Sequence, residues 1–439
     1  MTRHITLILL GVILGAQAGC SEDTAGSPKD GAVPPDQAVL DATLPQSPLD
    51  SGATAGDASD SDLTPEPPAD MMVAPELTAG FRFVGAYEIS AEGVSDLITI
   101  DRRAMNSSLS VRVRTDPPTD ICLQIDSVVD SANNVLVPEQ QPNAFGPFCE
   151  ACAHRVWVSR GYGLFVFPNH GESLPDSESL DLRVRLRDCS TLLPATPENP
   201  PLRVAIEVLE TTPQVDINPR LELAVVTVEG SRLYGSDAEV DPLLTGALER
   251  VQEIYREADI DLVVSHFVHS PLSTPEGLRF GRNGYDDVDE IVTNAWEVLA
   301  QAESAAVPLL LLLTPCLLQE DFRGQASALD GHAPRIPGGY GTDGFADAIM
   351  VRDAHCGPDP GTPYWLTADQ FGRVIAHELG HALGLYHVTE SDGTPDHLSD
   401  TESPNYMIVS PLSADAHGWS PKQINVMHHH PSLGEPFGD

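Results

Sequence analysis

Three histidines and a glutamate lie close together in VIAHELGHALGLYH, residues 374–387. In an α-helix, side chains four residues apart share a face. His377 and His381 are therefore expected to bind one metal ion. Glu378 projects beside them and can reach a water molecule at that ion without being a ligand. This is the H-E-x-x-H arrangement, in which two imidazoles hold zinc and the glutamate is the general base.

The third ligand depends on a glycine. Gly384 can adopt a left-handed conformation, end the helix and turn the chain, so that His387 returns to the same ion. Three histidines leave the fourth position of zinc open for water, which is typical of a catalytic site. Zinc acidifies such a water, and Glu378 would accept its proton. The spacing predicts metal-dependent amide hydrolysis; the alternative is a core helix with incidental histidines.

The extended pattern H-E-x-x-H-x-x-G-x-x-H resembles the metzincin clan of zinc endopeptidases. The clan also carries a methionine in a tight turn beneath the metal, and SPNYMIV (403–409) would place Met407 there. HELGHALGLYHV and NYM look most like the pappalysin-type group, and GWSPKQINVM (418–427) resembles the helix start that closes such domains. The resemblance covers roughly residues 220–432. It implies a zinc endopeptidase whose peptide substrate lies extended along an edge strand.

Two features depart from the clan. The segment between His387 and Met407 is short for a pappalysin and contains no cysteine. Many metzincins have a tyrosine two residues after the methionine, where this chain has Val409. Tyr406 precedes the methionine instead, and we interpret it as a packing residue. Specificity is expected to depend on the wall formed by residues 408–412.

The composition limits the partners of the chain. Its 439 residues are enough for two cores and a linker. A formal net charge of −41 excludes nucleic acid as a partner, because few cations could neutralise a row of phosphates. The same charge opposes electrostatic docking to an anionic membrane.

The first 20 residues, MTRHITLILLGVILGAQAGC, have the layout of a secretory signal. The apolar run at 5–14 is short for a membrane span. Cys20 follows Ala-Gly and resembles the lipidation site of bacterial lipoproteins, although Gln17 stands where that motif usually has an aliphatic residue. We expect a cell-envelope lipoprotein, at the outer membrane, that contacts membrane only through lipid on Cys20. Plain secretion is the first alternative, and a single uncleaved anchor is the second.

Export predicts an oxidising compartment, where an even number of cysteines indicates disulfides. The simplest pairing joins Cys316 to Cys356 in the second half of the chain. A zinc knuckle or redox pair is the alternative for the C-x-x-C spacing in the first half. The first-half cysteines are expected to pair among themselves, in an order that the sequence leaves open: Cys122, Cys149, Cys152 and Cys189.

The first half of the chain has two parts after the signal. Residues 21–76 are predicted to be a disordered acidic linker, because a Pro-, Asp- and Ala-rich composition cannot form a core. Residues 77–212 are predicted to form an all-β, sandwich-like domain, because short alternating strands are separated by turn residues. In SLSVRVR (108–114), for example, the apolar side chains share one face.

In the second half, residues 215–439, strands and helices alternate. This order predicts a mostly parallel, twisted sheet covered by helices on both sides, as in an α/β metzincin-like catalytic domain. The zinc-site helix should begin after Thr367 as N-cap and end near Leu383. The other expected elements are strands at 221–230, 260–269, 308–318 and 347–353 and helices at 239–258 and 287–304.

Two further groups carry potential metal ligands. Asp392, Asp396 and Asp400 offer oxygens suited to calcium, although their loop lacks an EF-hand pattern. The histidine run, residues 428–430, is expected on the surface at the end of the last helix, with nonspecific metal binding as an alternative.

The sequence therefore predicts a zinc endopeptidase acting on protein or peptide substrates. One alternative is a surface protein that binds a partner through its β domain and keeps a relic zinc domain. The intact Glu378 argues against a relic, which has no need of the base. Another alternative is a zinc hydrolase acting on a non-peptide amide.

Overall fold

Alternating apolar and polar residues produce strands throughout the first half of the chain. The computed structural model describes residues 80–436, with gaps at 104–106, 117–120, 138–154, 157–161, 168–176, 188–193, 198–200, 213–218, 274–277, 281–285, 302–307, 321–325, 335, 341–347, 355, 357–366, 390–395, 397, 402–404, 409–416 and 434. The predicted signal with Cys20, the predicted linker, and Cys149, Cys152 and Cys189 lie outside the described residues. Cys122 lies in a strand, but its side chain is outside the description.

The described strands of the first half are β1 (Arg82–Ile89), β2 (Ile98–Asp101), β3 (Ser108–Asp116), β4 (Cys122–Asp130), β5 (Val135–Val137), β6 (Arg155–Val156), β7 (Tyr162–Phe167), β8 (Ser179–Arg187) and β9 (Leu202–Thr212). They form two antiparallel sheets, one ordered β1-β9-β3-β7 and the other β2-β8-β4-β5, with β6 also pairing β4. The described part of this region is thus all-β, as predicted.

The two antiparallel sheets share one hydrophobic core. Leu109, Val111 and Val113 of β3 face inward, as their alternation predicts. From the other sheet, Ile125 and Leu182 belong to the same core. The outer face of β3 is buried as well, where Arg112 forms an ion pair with Glu207 of β9.

The second half contains strands and helices in alternation. They are β10 (Arg220–Glu229), α1 (Pro242–Arg256), β11 (Asp261–Ser273), β12 (Leu278–Phe280), α2 (Asp286–Gln301), β13 (Leu309–Thr314), β14 (Leu317–Glu320), β15 (Ala326–Leu329), β16 (Gly331–His332), β17 (Ala348–Arg352), α3 (Ala368–Ala382), α4 (Pro421–His428) and β18 (Glu435–Pro436), with 3-10 turns at Ser236–Val240 and Pro431–Leu433. Among the helices described, none is long and apolar enough to cross a bilayer.

The main sheet of this half has the order β11-β10-β13-β17-β16. Its strands are parallel except β16, which pairs antiparallel with β17 and is the outermost described strand. Strand β13, LLLLLT, is buried along its whole length because helices cover both faces. Leu311 and Leu313 point toward α1 and α3, whereas Leu310 and Leu312 point toward α2. The predicted mostly parallel sheet is confirmed.

The predicted strand at 308–318 is wrong in one respect, since it is two strands in two sheets. β13 ends at Thr314, and β14 begins at Leu317 in a small sheet with β12 and β15. Pro315 has no backbone N–H to donate to a ladder, so a central strand cannot continue through it. Cys316 lies at this break and forms the expected disulfide with Cys356, with a Cα–Cα distance of 5.0 Å.

The two halves are joined beyond their covalent connection. The described residues from Gly80 to Pro436 belong to one compact unit. The C-terminal strand β18 pairs with Thr211 and Thr212 of β9, so it extends an antiparallel sheet of the first half. The ring centroids of Phe81 and Tyr340 lie 6.0 Å apart between the halves.

Candidate metal centre

Helix α3 is fixed at its start by a capping box. The Thr367 side chain accepts from the Gln370 N–H, so Thr367 is the N-cap that the sequence predicts. The Gln370 side chain in turn accepts from the Thr367 N–H. Helix α1 packs closely on α3 at Gly372, where a Cβ would lie 2.6 Å from the Ala247 carbonyl oxygen. The Tyr255 hydroxyl donates to the Ala376 carbonyl at 3.0 Å. The contacts at Gly372 and Tyr255 hold α3 against α1, and the helical repeat places His377 and His381 on one face.

The helix ends at a glycine in the left-handed region. Gly384 has φ +103, and its N–H donates to the His381 carbonyl at 2.9 Å. The Leu385 N–H donates to the Gly380 carbonyl at 2.9 Å, which completes a Schellman motif. The chain turns sharply here and brings residue 387 back toward the helix.

The histidine triad, His377, His381 and His387, converges through its Nε2 atoms. These atoms lie 3.1, 3.1 and 3.2 Å from one another. His377 donates from Nδ1 to the Tyr406 carbonyl at 2.9 Å, and His381 donates from Nδ1 to the Leu385 carbonyl at 2.7 Å. Because a carbonyl only accepts, Nδ1 carries the proton in both rings, and each Nε2 presents a lone pair to the centre.

This arrangement fits a zinc ion. A tetrahedral zinc with bonds of about 2.0–2.1 Å to nitrogen would place its nitrogens about 3.3–3.4 Å apart, close to the separations observed. Burial lowers the pKa of His377 to about 3 and that of His381 well below its usual range. Both imidazoles are therefore neutral at pH 7, the form that binds a metal. Among the residues described, no other group of three metal-binding side chains meets in this way.

Glu378 is buried beside the triad and against the outermost strand. A Cβ at Gly331 of β16 would lie 2.6 Å from Glu378 Cγ, so only glycine fits there. Burial raises the pKa of Glu378 to about 8, and the nearby Asp330 adds to the rise, while the Ala333 N–H that bonds the carboxylate opposes it. A carboxyl with this pKa can accept and release a proton near neutral pH.

Met407 lies in a turn packed under the helix. The Ile408 N–H donates to the Asn405 carbonyl at 3.3 Å, and the Met407 carbonyl accepts from the Val388 N–H at 2.8 Å. A Cβ at Gly380 would lie only 2.5 Å from Met407 Sδ, so this glycine lets the methionine reach the helix. We call residues 405–408 the Met-turn.

Tyr406 does more than pack. Its ring lies 4.9 Å from that of Trp419, as a packing residue should, and its hydroxyl donates to Glu257 at 2.9 Å. Its carbonyl is the acceptor for His377. Val409 and residues 410–412 of the predicted specificity wall lie outside the described residues.

Sequence reasoning missed four residues that shape the centre: Gly331, Gly380, Asn405 and Gln423. The glycine inside H-E-L-G-H was a usable signal for close packing, because glycine inside a helix usually has a packing reason. The contact between Gly331 and Glu378 joins residues 47 positions apart. No local sequence pattern predicts such a contact.

In the described part of the loop that carries Asp392, Asp396 and Asp400, the carboxylates accept hydrogen bonds from groups of the same chain. Asp396 accepts from the Thr401 hydroxyl at 2.6 Å. Asp400 accepts from the Ser420 hydroxyl at 2.9 Å and the Lys422 N–H at 3.0 Å, which secures the start of α4. Asp392 lies outside the described residues, and calcium binding stays a prediction.

The three rings of the histidine run, residues 428–430, form hydrogen bonds with separate backbone groups. His428 donates from Nε2 to the Ala258 carbonyl at 2.7 Å, and His429 donates from Nδ1 to the Asn425 carbonyl at 2.5 Å. His430 has 0% exposure and accepts at Nδ1 from the Ser432 N–H at 3.2 Å. The expected surface position is therefore wrong for His430, which the turn at Pro431–Leu433 folds into the interior.

Comparisons with known proteins add little to this geometry. No family model and no curated protein matches the chain. Among solved structures, it is similar to archaemetzincin from Methanopyrus kandleri, with 18% identity and a TM-score of 0.25 over 48% of this chain and 88% of that one. It is also similar to a zinc-dependent peptidase from Methanocorpusculum labreanum, with 15% identity and a TM-score of 0.29 over 46% and 99%. With TM-scores this low, these similarities do not indicate a function. The function is inferred from the geometry of the site.

Proposed function

We propose that the protein is a zinc-dependent endopeptidase of the metzincin type, most similar to the pappalysin-type group. The observation that carries the proposal is the convergence of three imidazole Nε2 atoms beside a buried glutamate. His377, His381 and His387 would hold the zinc ion, which would act as a Lewis acid toward the peptide carbonyl and water. Three protein ligands leave room for both.

Glu378 performs the proton transfers. Its carboxylate accepts a proton from the attacking water and delivers it to the amine that leaves when the peptide bond breaks. The buried position favours the protonated carboxyl between these two steps, which matches the raised pKa of this group. Glu378 thus serves first as base and then as acid, and no acyl-enzyme forms.

The substrate would bind in extended form along β16. This strand is outermost in the described sheet, and Gly331 within it lies against Glu378. A peptide that pairs with such an edge places its backbone beside the catalytic carboxylate, with hydrogen bonds supplied by main-chain groups. The preferred class is therefore an unfolded or extended segment of a protein.

The protein would act in the cell envelope or outside the cell. The signal layout and Cys20 support a lipid anchor, and the acidic segment 21–76 would serve as a tether. Radioactive palmitate supplied to cells should label the wild-type protein. Cys20→Ser should abolish the labelling, and equal labelling of both would contradict the anchor.

The decisive test is cleavage by the full zinc-loaded chain of a denatured protein and a peptide library. Glu378→Gln should retain zinc and lower kcat/KM by about 10²–10⁴-fold, the usual contribution of a general base. Glu290→Gln, a change at an exposed glutamate of α2, is the matched control and should keep wild-type activity. Cleavage of no peptide by the zinc-loaded wild type would contradict the proposal. Cleavage of small non-peptide amides alone would indicate the other hydrolase class.

A further inference from the structure

The carbonyl that orients His377 belongs to a turn held by two buried amides. Asn405 donates from Nδ2 to Gln423 Oε1 at 2.8 Å. Gln423 donates from Nε2 to Asn405 Oδ1 at 3.2 Å. Both side chains are buried, at 4% and 0% exposure. Two reciprocal hydrogen bonds fix the distance and the orientation between the Met-turn and helix α4. We call these two residues the amide pair.

Each amide oxygen also accepts a backbone N–H. Asn405 Oδ1 accepts from Met407 at 2.9 Å, which closes the Met-turn. Gln423 Oε1 accepts from Ser420 at 3.0 Å within the capping box of α4. Neither amide oxygen can be moved without disturbing both its partner amide and its own backbone segment.

The far end of this network is anchored too. The N-terminus of α4 is held by Asp400, which accepts from Ser420 and Lys422. The amide pair therefore connects a fixed helix start to the Met-turn, and the Met-turn presents the Tyr406 carbonyl to His377.

We infer that Asn405 and Gln423 are positioning residues for the metal ligand His377. The inference rests on the proposed zinc function. By fixing the Tyr406 carbonyl, the pair fixes the His377 ring and keeps its Nε2 directed at the centre of the triad. His381 is independent of the pair, since its partner carbonyl, Leu385, lies in the exit of its own helix. The amide pair therefore positions His377, whose partner carbonyl at Tyr406 is remote in sequence.

The test measures zinc affinity in the full chain by competition with a chelator. Gln423→Leu and Asn405→Ala should each raise the zinc Kd by about 10- to 100-fold, the usual effect of removing a partner of a metal ligand. Because the two amides act as one unit, the double variant should bind zinc no more weakly than the weaker single variant. Additive losses would overturn the inference.

Gln370→Leu is the matched control. Gln370 occupies the same capping-box position in α3, the helix that carries the triad, yet among the described residues its side chain bonds only to Thr367. Its loss should lower the melting temperature and leave the zinc Kd unchanged. Gln423→Glu should also weaken zinc binding, since its carboxylate still accepts from Asn405 Nδ2 and the Ser420 N–H but cannot donate to Asn405 Oδ1.

Should Gln423→Leu fail to fold, Asn405→Asp tests the same inference. Aspartate keeps the acceptor for the Met407 N–H but cannot donate to Gln423 Oε1, so zinc binding should weaken. A lower melting temperature with unchanged zinc Kd in all amide-pair variants would show a purely structural role and overturn the inference. A wild type that binds zinc but cleaves no peptide would contradict the proposed function alone. A wild type that binds no zinc would contradict both.

Discussion

The histidine triad and the histidine run contain the same number of the same side chain, yet only the triad forms a site. In the triad, spacings of four and six residues across a helix and its glycine exit bring three Nε2 atoms within 3.2 Å of one another. In the run, adjacent residues project in different directions from the end of α4 and bond to separate backbone groups. The comparison shows that spacing, not the local density of histidine, decides whether the rings converge on one point.

The largest expected effect separates the two groups by metal content. His381→Ala should reduce zinc from one ion per chain to nearly none after gel filtration, because only two ligands remain. A double variant, His428→Ala with His429→Ala, should keep one zinc with wild-type affinity. Elemental analysis of the purified full chain checks both. Loss of zinc from the His428→Ala, His429→Ala variant would contradict the claim that the triad, and not the histidine run, binds the metal.

A second prediction concerns stability in acid and a histidine of the run. Burial lowers the pKa of His430 to about 4, so the folded protein keeps it neutral while the unfolded chain takes up a proton below about pH 6.5. The stability that depends on neutral His430 is complete above about pH 6.5 and is lost as the pH falls toward 4. The contribution is at most about 3 kcal/mol.

Urea unfolding of the metal-free protein at pH 7 and pH 4 measures this effect. His430→Gln should show a smaller difference in unfolding free energy between the two pH values than the wild type does. The two proteins share every other titratable group, so the comparison isolates His430. Equal pH dependence in the two proteins would contradict the assignment.

A third prediction sharpens the role of the helix exit. Gly384→Ala places a side chain at φ +103, which costs about 1–2 kcal/mol, and its Cβ would lie 3.3 Å from Val426 Cγ1. Gly235→Ala is the control, since φ is +97 there and nothing lies within 4 Å of the Cβ position. Both changes should lower the melting temperature. Only Gly384→Ala should weaken zinc binding, because only that change displaces His387; equal zinc Kd values would argue against the turn as the source of the third ligand.

The parts of the site that the sequence predicts are those built by short-range rules. Helix periodicity places His377 beside His381, and the preference for threonine at an N-cap identifies the start of α3 at Thr367. The alternation in β3 likewise identifies its inner face. Each of these rules involves residues within about one turn or one strand, so no knowledge of the fold is needed.

The parts that the sequence does not predict depend on contacts between distant segments. Gly331 is a glycine because Glu378 lies against it, and Asn405 reaches Gln423 through a pair of side-chain amides. The break at Pro315 was visible in the sequence, but the apolar run around it favoured one strand. The pairing of β18 with β9, which ties Glu435 and Pro436 to the first half, has no signal in a segment of two residues.

The most direct test of the central claim is to locate the metal. Crystals of the full chain grown with zinc should give an anomalous difference peak at the zinc edge that lies between the Nε2 atoms of the triad. The account predicts one peak, about 2.0–2.1 Å from each of the three nitrogens. A peak at the histidine run instead, or no peak at the triad in zinc-saturated crystals, would contradict it.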